Sequence, residues 1–424
     1  MDKLVIRGGI PLTGKVTIDG SKNGALPVLF ASLLAEKPVT LHNVPQLMDT
    51  RTTVRMLGEL DSKVTERGNT VTIDTPDEGA FTAPYDMVRR MRASVCCLGP
   101  LLARRGRARV SRPGGCAIGD RPIDLHLKGL QALGAEIRTQ HGYIEASAKR
   151  LRGANIFLSG AFGSSVLGTA NVMMAAARAQ GVTVIEGAAC EPEITGLADF
   201  LQILGVPVEG AGTPFVRIEG VDHVGGGEYT IPPDRVEAGT YVIAGAMAGG
   251  EVEVDGCEPR HLNALIDVLQ RMGVPLELGA RSIIVRGVPE LRPVDVATHP
   301  YPGFPTDLQA QLMALLCRAR GISLITEKVY PDRFMHIAEL NRLGARIRKE
   351  GPMAIIEGGA PLSGADVMAS DLRASACLVL AALVAEGSTE IHRIYHLDRG
   401  YMHMEQKLAR LGAEIHREYD ESGV

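Results

Sequence analysis

The sequence predicts an α/β protein of two domains, each built from three copies of one structural unit. A short signature recurs at an even spacing, and the same helix and strand patterns surround each copy. The signature is Leu or Met, then Gly, a small residue, any residue and an aliphatic residue. The copies lie 68 to 73 residues apart, and the first of them lacks the Gly. They begin at Leu60, Leu133, Leu204, Met272, Leu343 and Leu411.

The elements of one unit follow from the pattern around each signature. An apolar, Ala-rich helix comes first, as in residues 309–319 and 374–385, and a Gly usually ends it. A β-branched strand follows, as in residues 323–327, and then a loop and a second helix that ends at the signature. Beyond the signature we expect two short alternating strands, as in residues 283–286 paired with residues 294–297.

The ends of the chain predict how the units close. Residues 4–14 resemble residues 354–364, so the chain opens with the last part of a unit, and we expect residues 1–20 to complete the sixth unit. A ligand cleft would lie between the two domains, and the chain would cross between them twice. An open solenoid of six repeats is less favoured, because solenoid repeats are usually about 20–45 residues long. The predicted domains are residues 22–231, and residues 1–21 plus 232–424.

Composition excludes several classes of protein. Lys and Arg total 45 against 49 Asp and Glu, and Trp is absent, so nothing favours a nucleic-acid partner. The seven Cys form no CxxC pair, which fits a reducing compartment. The N-terminus lacks a signal-peptide core, and the longest apolar run, residues 374–385, is too short to span a bilayer. With no metal-ligand spacing and no nucleotide-cofactor motif, we expect a cytoplasmic protein without a metal or cofactor.

Charged residues collect at two equivalent positions of the units. The loop before the second helix carries an Arg after an Asp at Arg121, Arg333 and Arg399, and we interpret the fourth copy, Arg260, as structural. Arginines near helix N-termini suit a phosphate or carboxylate, although surface Arg–Asp pairs are the alternative. The cations predict an anionic ligand, beside a carboxylate that they keep ionised and that can act as a general base. The start of the first helix supplies Lys22, Asn23, Arg92, Ser165, Asp307, Asp371 and Arg373.

Cys116 is the cysteine best placed for chemistry. It lies in residues 112–122, a stretch with three Gly and two Pro, whereas the other six Cys lie in apolar helices or at strand ends. A thiol on an exposed loop beside an Arg can act as a nucleophile or as a proton donor.

The sequence resembles the UDP-N-acetylglucosamine enolpyruvyl transferases from residue 1 to about residue 415. The resemblance implies two inside-out α/β barrels, each with three βαβαββ units. It also implies a cytoplasmic, monomeric enzyme that transfers the enolpyruvyl group of phosphoenolpyruvate to UDP-N-acetylglucosamine in peptidoglycan synthesis. The motifs are SKNGALP (21–27), MRAS (91–94), RPGGCAIGDRPIDLH (112–126), PTDLQAQ (305–311), RFMH (333–336), DLRAS (371–375) and DRGY (398–401).

The resemblance also implies roles for individual residues. Cys116 would protonate C3 of phosphoenolpyruvate and be the site that fosfomycin alkylates, and Asp307 would lie at the 3′-hydroxyl of the sugar. Phosphoenolpyruvate would be bound by Lys22, Arg121 and Arg399. Sugar-nucleotide contacts would come from Asn23, Arg92, Arg121, Pro122, Ile123, Asp124, Leu125, Ser165, Val166 and Val329, and other cleft residues would be Arg333, Asp371 and Arg373.

One segment departs from the family. Leu167 stands where the family has a Gly, after a longer Gly-rich loop, so we expect either weaker nucleotide binding or a rearranged loop. Two other functions are alternatives. A sister transferase acting on shikimate 3-phosphate would lack the Cys loop, and a silent UDP-sugar-binding paralogue would have lost Cys116, Asp307 or Arg399.

Overall fold

The computed structural model describes residues 2–89, 91–112 and 123–419. The chain divides into two compact units. Unit I comprises the described residues between 20 and 232, and unit II comprises residues 2–19 and 233–419. Each unit has its own buried apolar core. No helix of the described residues is long and apolar enough to cross a membrane.

The strands of the described residues are short. In chain order they are β1 (Lys3–Arg7), β2 (Gly14–Thr17), β3 (Val39–His42), β4 (Lys63–Arg67), β5 (Thr70–Asp74), β6 (Thr82–Ala83), β7 (Arg107–Ser111), β8 (Glu136–Gln140), β9 (Tyr143–Ser147), β10 (Asn155–Phe157), β11 (Ser159–Gly160), β12 (Gly163–Ser164), β13 (Val182–Glu186), β14 (Val208–Glu209), β15 (Phe215–Glu219), β16 (Gly227–Thr230), β17 (Glu251–Asp255), β18 (Leu276–Leu278), β19 (Ser282–Arg286), β20 (Val296–Ala297), β21 (Gly321–Thr326), β22 (Ile347–Glu350), β23 (Met353–Gly358), β24 (Asp366–Met368), β25 (Ser388–His392) and β26 (Glu414–Glu418).

The helices alternate with these strands. They are α1 (Lys22–Ala31), α2 (Met48–Glu59), α3 (Tyr85–Val88), α4 (Leu98–Arg105), α5 (Asp124–Ala132), α6 (Val166–Ala176), α7 (Pro192–Ile203), α8 (Arg235–Ala248), α9 (Asn263–Arg271), α10 (Gln309–Leu316), α11 (His336–Arg342), α12 (Leu372–Ala382) and α13 (Met404–Arg410). Short 3-10 turns lie at Ser32–Leu34, Arg92–Cys97, Pro259–Leu262, Thr306–Leu308 and Ile394–Arg399.

Among the described residues, each unit holds three four-stranded sheets with one shared topology. The first two strands of each sheet are parallel, and the remaining neighbours are antiparallel. The strand orders are β16-β3-β5-β4, β6-β7-β9-β8 and β10-β13-β15-β14 in unit I, and β2-β17-β19-β18, β20-β21-β23-β22 and β24-β25-β1-β26 in unit II. A repeated topology is what a repeated sequence unit predicts.

The Ala-rich helices are buried on nearly every side. In α10 and α12 every residue from Gln309 to Leu316 and from Arg373 to Ala382 is buried, and the same holds for most of α6 and α8. A helix that is apolar all round must be covered all round, because it has no polar face to give to water. These helices therefore form the interior of each unit, and the sheets lie outside them.

In each of the six sequence repeats, the second helix ends in a Schellman motif, and this motif explains the signature. The N–H of Gly134 donates to the carbonyl of Gln131 at 2.9 Å, and the N–H of Ala135 donates to Leu130 at 3.1 Å. The motif needs a left-handed residue after the last helical turn, and a Gly adopts that conformation without strain. The φ angles are +93° at Gly134, +90° at Gly205, +88° at Gly273, +93° at Gly344, +99° at Gly412 and +64° at Asp61 in the copy without Gly.

The predicted hairpin between residues 283–286 and 294–297 is wrong. Strand β19 pairs antiparallel with β18, and β20 pairs parallel with β21 of the next sheet. The last residue of the signature, Leu276, already belongs to the first strand of the hairpin. The segment after β19 contains Pro289 and Pro293, which cannot donate to a sheet ladder, so the chain leaves the sheet there.

The N-terminal strands join sheets formed by the C-terminal half of the chain. Strand β1 lies between β25 and β26 and is antiparallel to both, with Ile6 opposite Thr389 and Ile415. Strand β2 pairs in parallel with β17. Leu4 and Ile6 are fully buried in the core of unit II.

Candidate functional site

Charged residues of unit II meet around one carboxylate. Asp307 lies in the 3-10 turn Thr306–Leu308 that precedes α10, and its side chain is 27% exposed. Its Oδ1 accepts a hydrogen bond from Nη1 of Arg333 at 2.8 Å, and its Oδ2 accepts one from Nη2 of Arg373 at 3.0 Å. The two guanidinium groups stabilise the negative charge of the carboxylate.

Arg373 is fixed by the start of α12. Asp371 is the N-cap, and its Oδ1 accepts from the backbone N–H groups of Arg373 and Ala374 at 2.9 and 3.1 Å. The Arg373 side chain is 4% exposed, and its Nη1 also donates to Oη of Tyr401 at 3.2 Å. Burial alone would lower the pKa of Arg373, but the carboxylate of Asp307 raises that pKa above its ordinary value. The guanidinium is therefore a permanent cation.

A buried polar network, which the sequence analysis missed, lies behind Arg373. Oη of Tyr401 shares a hydrogen bond with Oγ1 of Thr240 at 2.8 Å. Nε2 of Gln311 donates to Tyr401 at 3.2 Å, to Thr240 at 3.1 Å and to the backbone carbonyl of Asp307 at 3.0 Å. Gln311 and Tyr401 fall within the family motifs, but their sequence positions do not show that they face one another.

Val329 and Arg399 lie in two other loops of unit II. The N–H of Val329, just after β21, donates to Oε1 of Glu327 at 2.9 Å. Arg399 is the last residue of the 3-10 turn Ile394–Arg399 and is partly buried. The preceding Asp398 accepts two hydrogen bonds from Arg417, at 3.0 and 2.6 Å. In this copy of the repeated Asp-Arg pair, the Asp is therefore bound by Arg417 of β26.

In unit I, Lys22 is buried beside an acid that the sequence analysis did not single out. It is the first residue of α1, whose N-cap Ser21 accepts from the N–H of Gly24 at 3.1 Å. Its Nζ lies 3.4 Å from Oδ2 of Asp49, and the two side chains are 11% and 5% exposed. This pair positions the ammonium group, and Asn23 follows it as a partly buried residue of the same turn.

His126 of α5 is a buried neutral histidine close to Arg92. Oδ1 of Asn171 accepts from the N–H of Gly99 at 2.6 Å, so its Nδ2 is the donor to Val95 at 3.1 Å and to Nδ1 of His126 at 3.0 Å. The ring proton is therefore on Nε2. Burial, and to a smaller extent the charge of Arg92, lowers the pKa of His126 to about 3.

The other predicted residues of unit I lie at the starts of α5 and α6. Ile123 is the buried N-cap residue of α5, and Asp124 and Leu125 follow as exposed and partly buried residues of its first turn. Ser165 caps α6, because its Oγ accepts from the N–H of Gly168 at 3.1 Å.

The departure from the family at Leu167 places the small residue one position later. Val166 and Leu167 are the first residues of α6, and the carbonyl of Leu167 accepts from Sγ of Cys96 at 3.7 Å. A Cβ atom at Gly168 would lie 2.9 Å from Oγ of Ser165 and 3.7 Å from Cβ of Leu125. Gly168 is therefore the position that needs a small residue in this helix start.

The structure thus brings together two sets of predicted site residues. In unit II, Arg333 and Arg373 contact Asp307 directly, and Asp371 caps the helix that carries Arg373. In unit I, Lys22 pairs with Asp49. Three predicted site residues, Cys116, Arg121 and Pro122, lie outside the described residues.

One group of side chains could present metal ligands within the described part of the chain. Asp366, Glu390 and His392 offer ligand atoms within 4.8 Å of one another on β24 and β25. Nζ of Lys3 already lies 2.7 Å from Glu390, so a cation balances this exposed group without a metal.

Comparisons with known proteins agree on the class of protein. The family model described as EPSP synthase (3-phosphoshikimate 1-carboxyvinyltransferase) matches residues 6–408. The solved enolpyruvyl transferase NikO from Streptomyces tendae is 28% identical, with a TM-score of 0.89 over 98% of both chains. An EPSP synthase from Acinetobacter baumannii is 18% identical, with a TM-score of 0.76 over 99% of this chain and 100% of its own. The fold is that of the enolpyruvyl transferases.

Curated relatives show to which family of enolpyruvyl transferases the chain belongs. The UDP-N-acetylglucosamine 1-carboxyvinyltransferase of Geotalea uraniireducens is 52% identical over 98% of this chain and 99% of its own length. That of Anaeromyxobacter dehalogenans is 54% identical over 98% of this chain and 99% of its own length. The chain belongs to the UDP-N-acetylglucosamine 1-carboxyvinyltransferase family.

Proposed function

We propose that this chain transfers the enolpyruvyl group of phosphoenolpyruvate to the 3′-hydroxyl of UDP-N-acetylglucosamine, with release of phosphate. The observation that carries the proposal is the 52% identity, over nearly the whole of both chains, to a relative named for this activity. The geometry of the site also supports the proposal, because the carboxylate of Asp307 lies between two guanidinium groups. The reaction is the first committed step of peptidoglycan synthesis, and we place it in the cytoplasm.

The reaction is an addition followed by an elimination. A proton adds to C3 of phosphoenolpyruvate, which leaves cationic character at C2. The 3′-oxygen of the sugar then bonds to C2 while its proton passes to Asp307. The tetrahedral intermediate loses phosphate and a proton from C3, which restores the double bond. Cations around the leaving group stabilise the charge that develops on phosphate.

Asp307 suits the role of general base at the acceptor hydroxyl. Its side chain is 27% exposed, so a hydroxyl can approach it, while Arg333 and Arg373 hold both of its oxygens. The hydroxyl becomes strongly acidic as its oxygen bonds to C2, so a carboxylate is basic enough to accept its proton.

We assign the proton at C3 to Cys116, which is also the residue that a fosfomycin-type inhibitor would alkylate. Lys22, Arg121 and Arg399 bind phosphoenolpyruvate in this proposal, since its phosphate and carboxylate both need cations. The sugar nucleotide contacts Asn23, Arg92, Arg121, Pro122, Ile123, Asp124, Leu125, Ser165, Val166 and Val329, with Arg333, Asp371 and Arg373 beside it.

The proposal includes an architecture for the site. The domains 22–231 and 1–21 plus 232–424 each form an inside-out barrel of three βαβαββ units. The enzyme works as a monomer and needs no metal or cofactor.

Phosphate release from phosphoenolpyruvate tests the proposal. The wild type should release phosphate with UDP-N-acetylglucosamine and not with shikimate 3-phosphate, and Cys116→Ala should abolish the release. Cys190→Ala is the matched control, since Cys190 is a partly exposed thiol outside the proposed site, and it should retain the wild-type rate. Release that survives in Cys116→Ala would remove that residue from its role. Release with shikimate 3-phosphate would favour the sister activity, and binding of the UDP-sugar without release would favour a silent paralogue.

A further inference from the structure

Glu327 is a fully buried acid with four hydrogen-bond donors around it. It follows β21 directly and is 0% exposed. Its Oε1 accepts from Oγ1 of Thr298 at 2.6 Å and from the backbone N–H groups of Val329 and Tyr330, both at 2.9 Å. One carboxylate oxygen therefore sets the backbone path of the loop that carries Val329.

The other oxygen of Glu327 connects to the general base. Its Oε2 accepts from Oγ1 of Thr306 at 2.9 Å. The hydroxyl of Thr306 has a single proton, so the same oxygen can only accept from Nη1 of Arg333, which lies 3.0 Å away. That Nη1 also donates to Oδ1 of Asp307 at 2.8 Å. The direction of every hydrogen bond from Glu327 to Asp307 is thus fixed.

A buried carboxylate costs free energy to desolvate, so a retained one needs a reason. A neutral amide of the same shape could accept the loop N–H groups equally well. It could not accept from Thr306 at the second position, because an amide nitrogen is a donor. A second acceptor oxygen is therefore required on the side of Glu327 that faces Thr306, whereas an amide oxygen would serve on the side that faces the loop.

We propose that Glu327 is a positioning residue for enolpyruvyl transfer, which orients Arg333 against Asp307 through the hydroxyl of Thr306 and holds the backbone at Val329. The inference rests on the proposed function, because it assigns Asp307 to the acceptor hydroxyl. Glu327 itself touches neither substrate.

The test compares Glu327→Gln, Thr306→Val and the double variant in the phosphate-release assay. We expect each single variant to lower kcat about 10-fold to 100-fold, since small displacements of reacting groups have effects of that size. KM for UDP-N-acetylglucosamine should rise, and KM for phosphoenolpyruvate should stay unchanged. The double variant should be no worse than the poorer single variant, because both changes break one chain of hydrogen bonds.

A pH profile separates positioning from a purely structural role. When Arg333 is displaced, Oδ1 of Asp307 loses its guanidinium partner, so the pKa of that carboxyl should rise. The acidic limb of kcat/KM for the UDP-sugar should therefore shift to higher pH in Glu327→Gln. Glu357→Gln is the matched control, because Glu357 is a 62% exposed acid on β23 of the same sheet, and it should behave as the wild type.

The outcomes are distinct. If the wild type transfers the group but Glu327→Gln keeps its kcat and its acidic limb, or if the two single effects multiply in the double variant, the positioning role is wrong. If Glu327→Gln does not fold, Thr306→Val alone decides, since it removes the hydroxyl and keeps the shape. If the wild type releases no phosphate with any acceptor, the proposed function fails and this inference fails with it.

Discussion

At the scale of single residues, two successive repeats contribute to the site of unit II. Asp307 precedes one buried helix, Arg333 lies in a loop after a strand, and Arg373 begins another buried helix. Their positions in the repeats were visible in the sequence, because charged residues stood out against apolar helices. The role of Glu327 was not visible in the sequence, because the pattern placed this residue in the predicted strand of residues 323–327. The strand ends at Thr326, because the Glu327 side chain accepts hydrogen bonds from the backbone N–H groups of Val329 and Tyr330.

The same limit applies to the polar residues buried behind the site. Thr240 lies in α8, Gln311 lies in α10, and Tyr401 lies in the loop before α13, and no sequence pattern marks them as partners. Only the packing of α8, α10 and this loop against one another brings these residues together. Sequence patterns predict which face of a helix is buried, but not which side chain lies opposite.

The pKa of His126 predicts a pH-dependent stability. Its folded-state pKa is about 3 against an ordinary value near 6.5, so between these values the unfolded chain binds a proton that the folded chain does not. The contribution to stability is present above pH 6.5 and is lost as the pH falls, by about 1.4 kcal/mol per pH unit. In His126→Gln, the free energy of unfolding should lose this slope between pH 6.5 and pH 4, as urea denaturation would measure. An identical slope in the variant would contradict the buried neutral state.

At the scale of elements, the signature is a helix stop. In five copies of the repeat, a Gly with a positive φ follows the last turn of the second helix, and Asp61 takes this conformation in the first copy. The next residue closes the Schellman hydrogen bond. The pattern was visible in the sequence, because the left-handed conformation favours a Gly in most copies. The pairing of the strands that follow the signature was not visible in the sequence, because a short alternating strand can pair on either side. Only Pro289 and Pro293 argue against the predicted pairing of residues 283–286 with residues 294–297.

Two glycines of unit I test this explanation. Gly134→Ala should destabilise unit I by about 1–2 kcal/mol, because a Cβ there meets no atom within 4 Å and the cost is that of the left-handed backbone alone. Gly58→Ala is the matched control, since Gly58 lies inside α2 and a Cβ there also meets nothing within 4 Å. It should be neutral or stabilise by up to about 1 kcal/mol. Equal effects of the two substitutions on the urea midpoint would contradict the role of the signature.

At the scale of the whole molecule, the described residues form six four-stranded sheets of one topology, three in each unit, and strand β1 belongs to the last of these sheets. The resemblance of residues 4–14 to residues 354–364 pointed to this pairing, because equivalent segments of a repeat occupy equivalent strands. The even spacing of the signature predicts the number of repeats, but sequence periodicity does not predict which residues far apart in the chain contact one another.

Two equivalent isoleucines test the N-terminal pairing. Ile6 in β1 and Ile73 in β5 both lie on the third strand of a sheet and are 0% and 1% exposed. Ile6→Ala should cost about 2–5 kcal/mol and speed amide hydrogen exchange in β25 and β26. Ile73→Ala should cost as much but act on β3 and β4 instead. Unchanged exchange of β25 and β26 in Ile6→Ala would show that β1 does not hold this sheet together.

Identification of the product tests whether the chain carries out the proposed reaction. The wild type is incubated with phosphoenolpyruvate and UDP-N-acetylglucosamine, and the product is analysed by mass spectrometry and NMR while phosphate is counted. We predict one enolpyruvyl group on the 3′-oxygen of the UDP-sugar for every phosphate released. An unmodified UDP-sugar, or an enolpyruvyl group that is transferred only to shikimate 3-phosphate, would contradict the assignment.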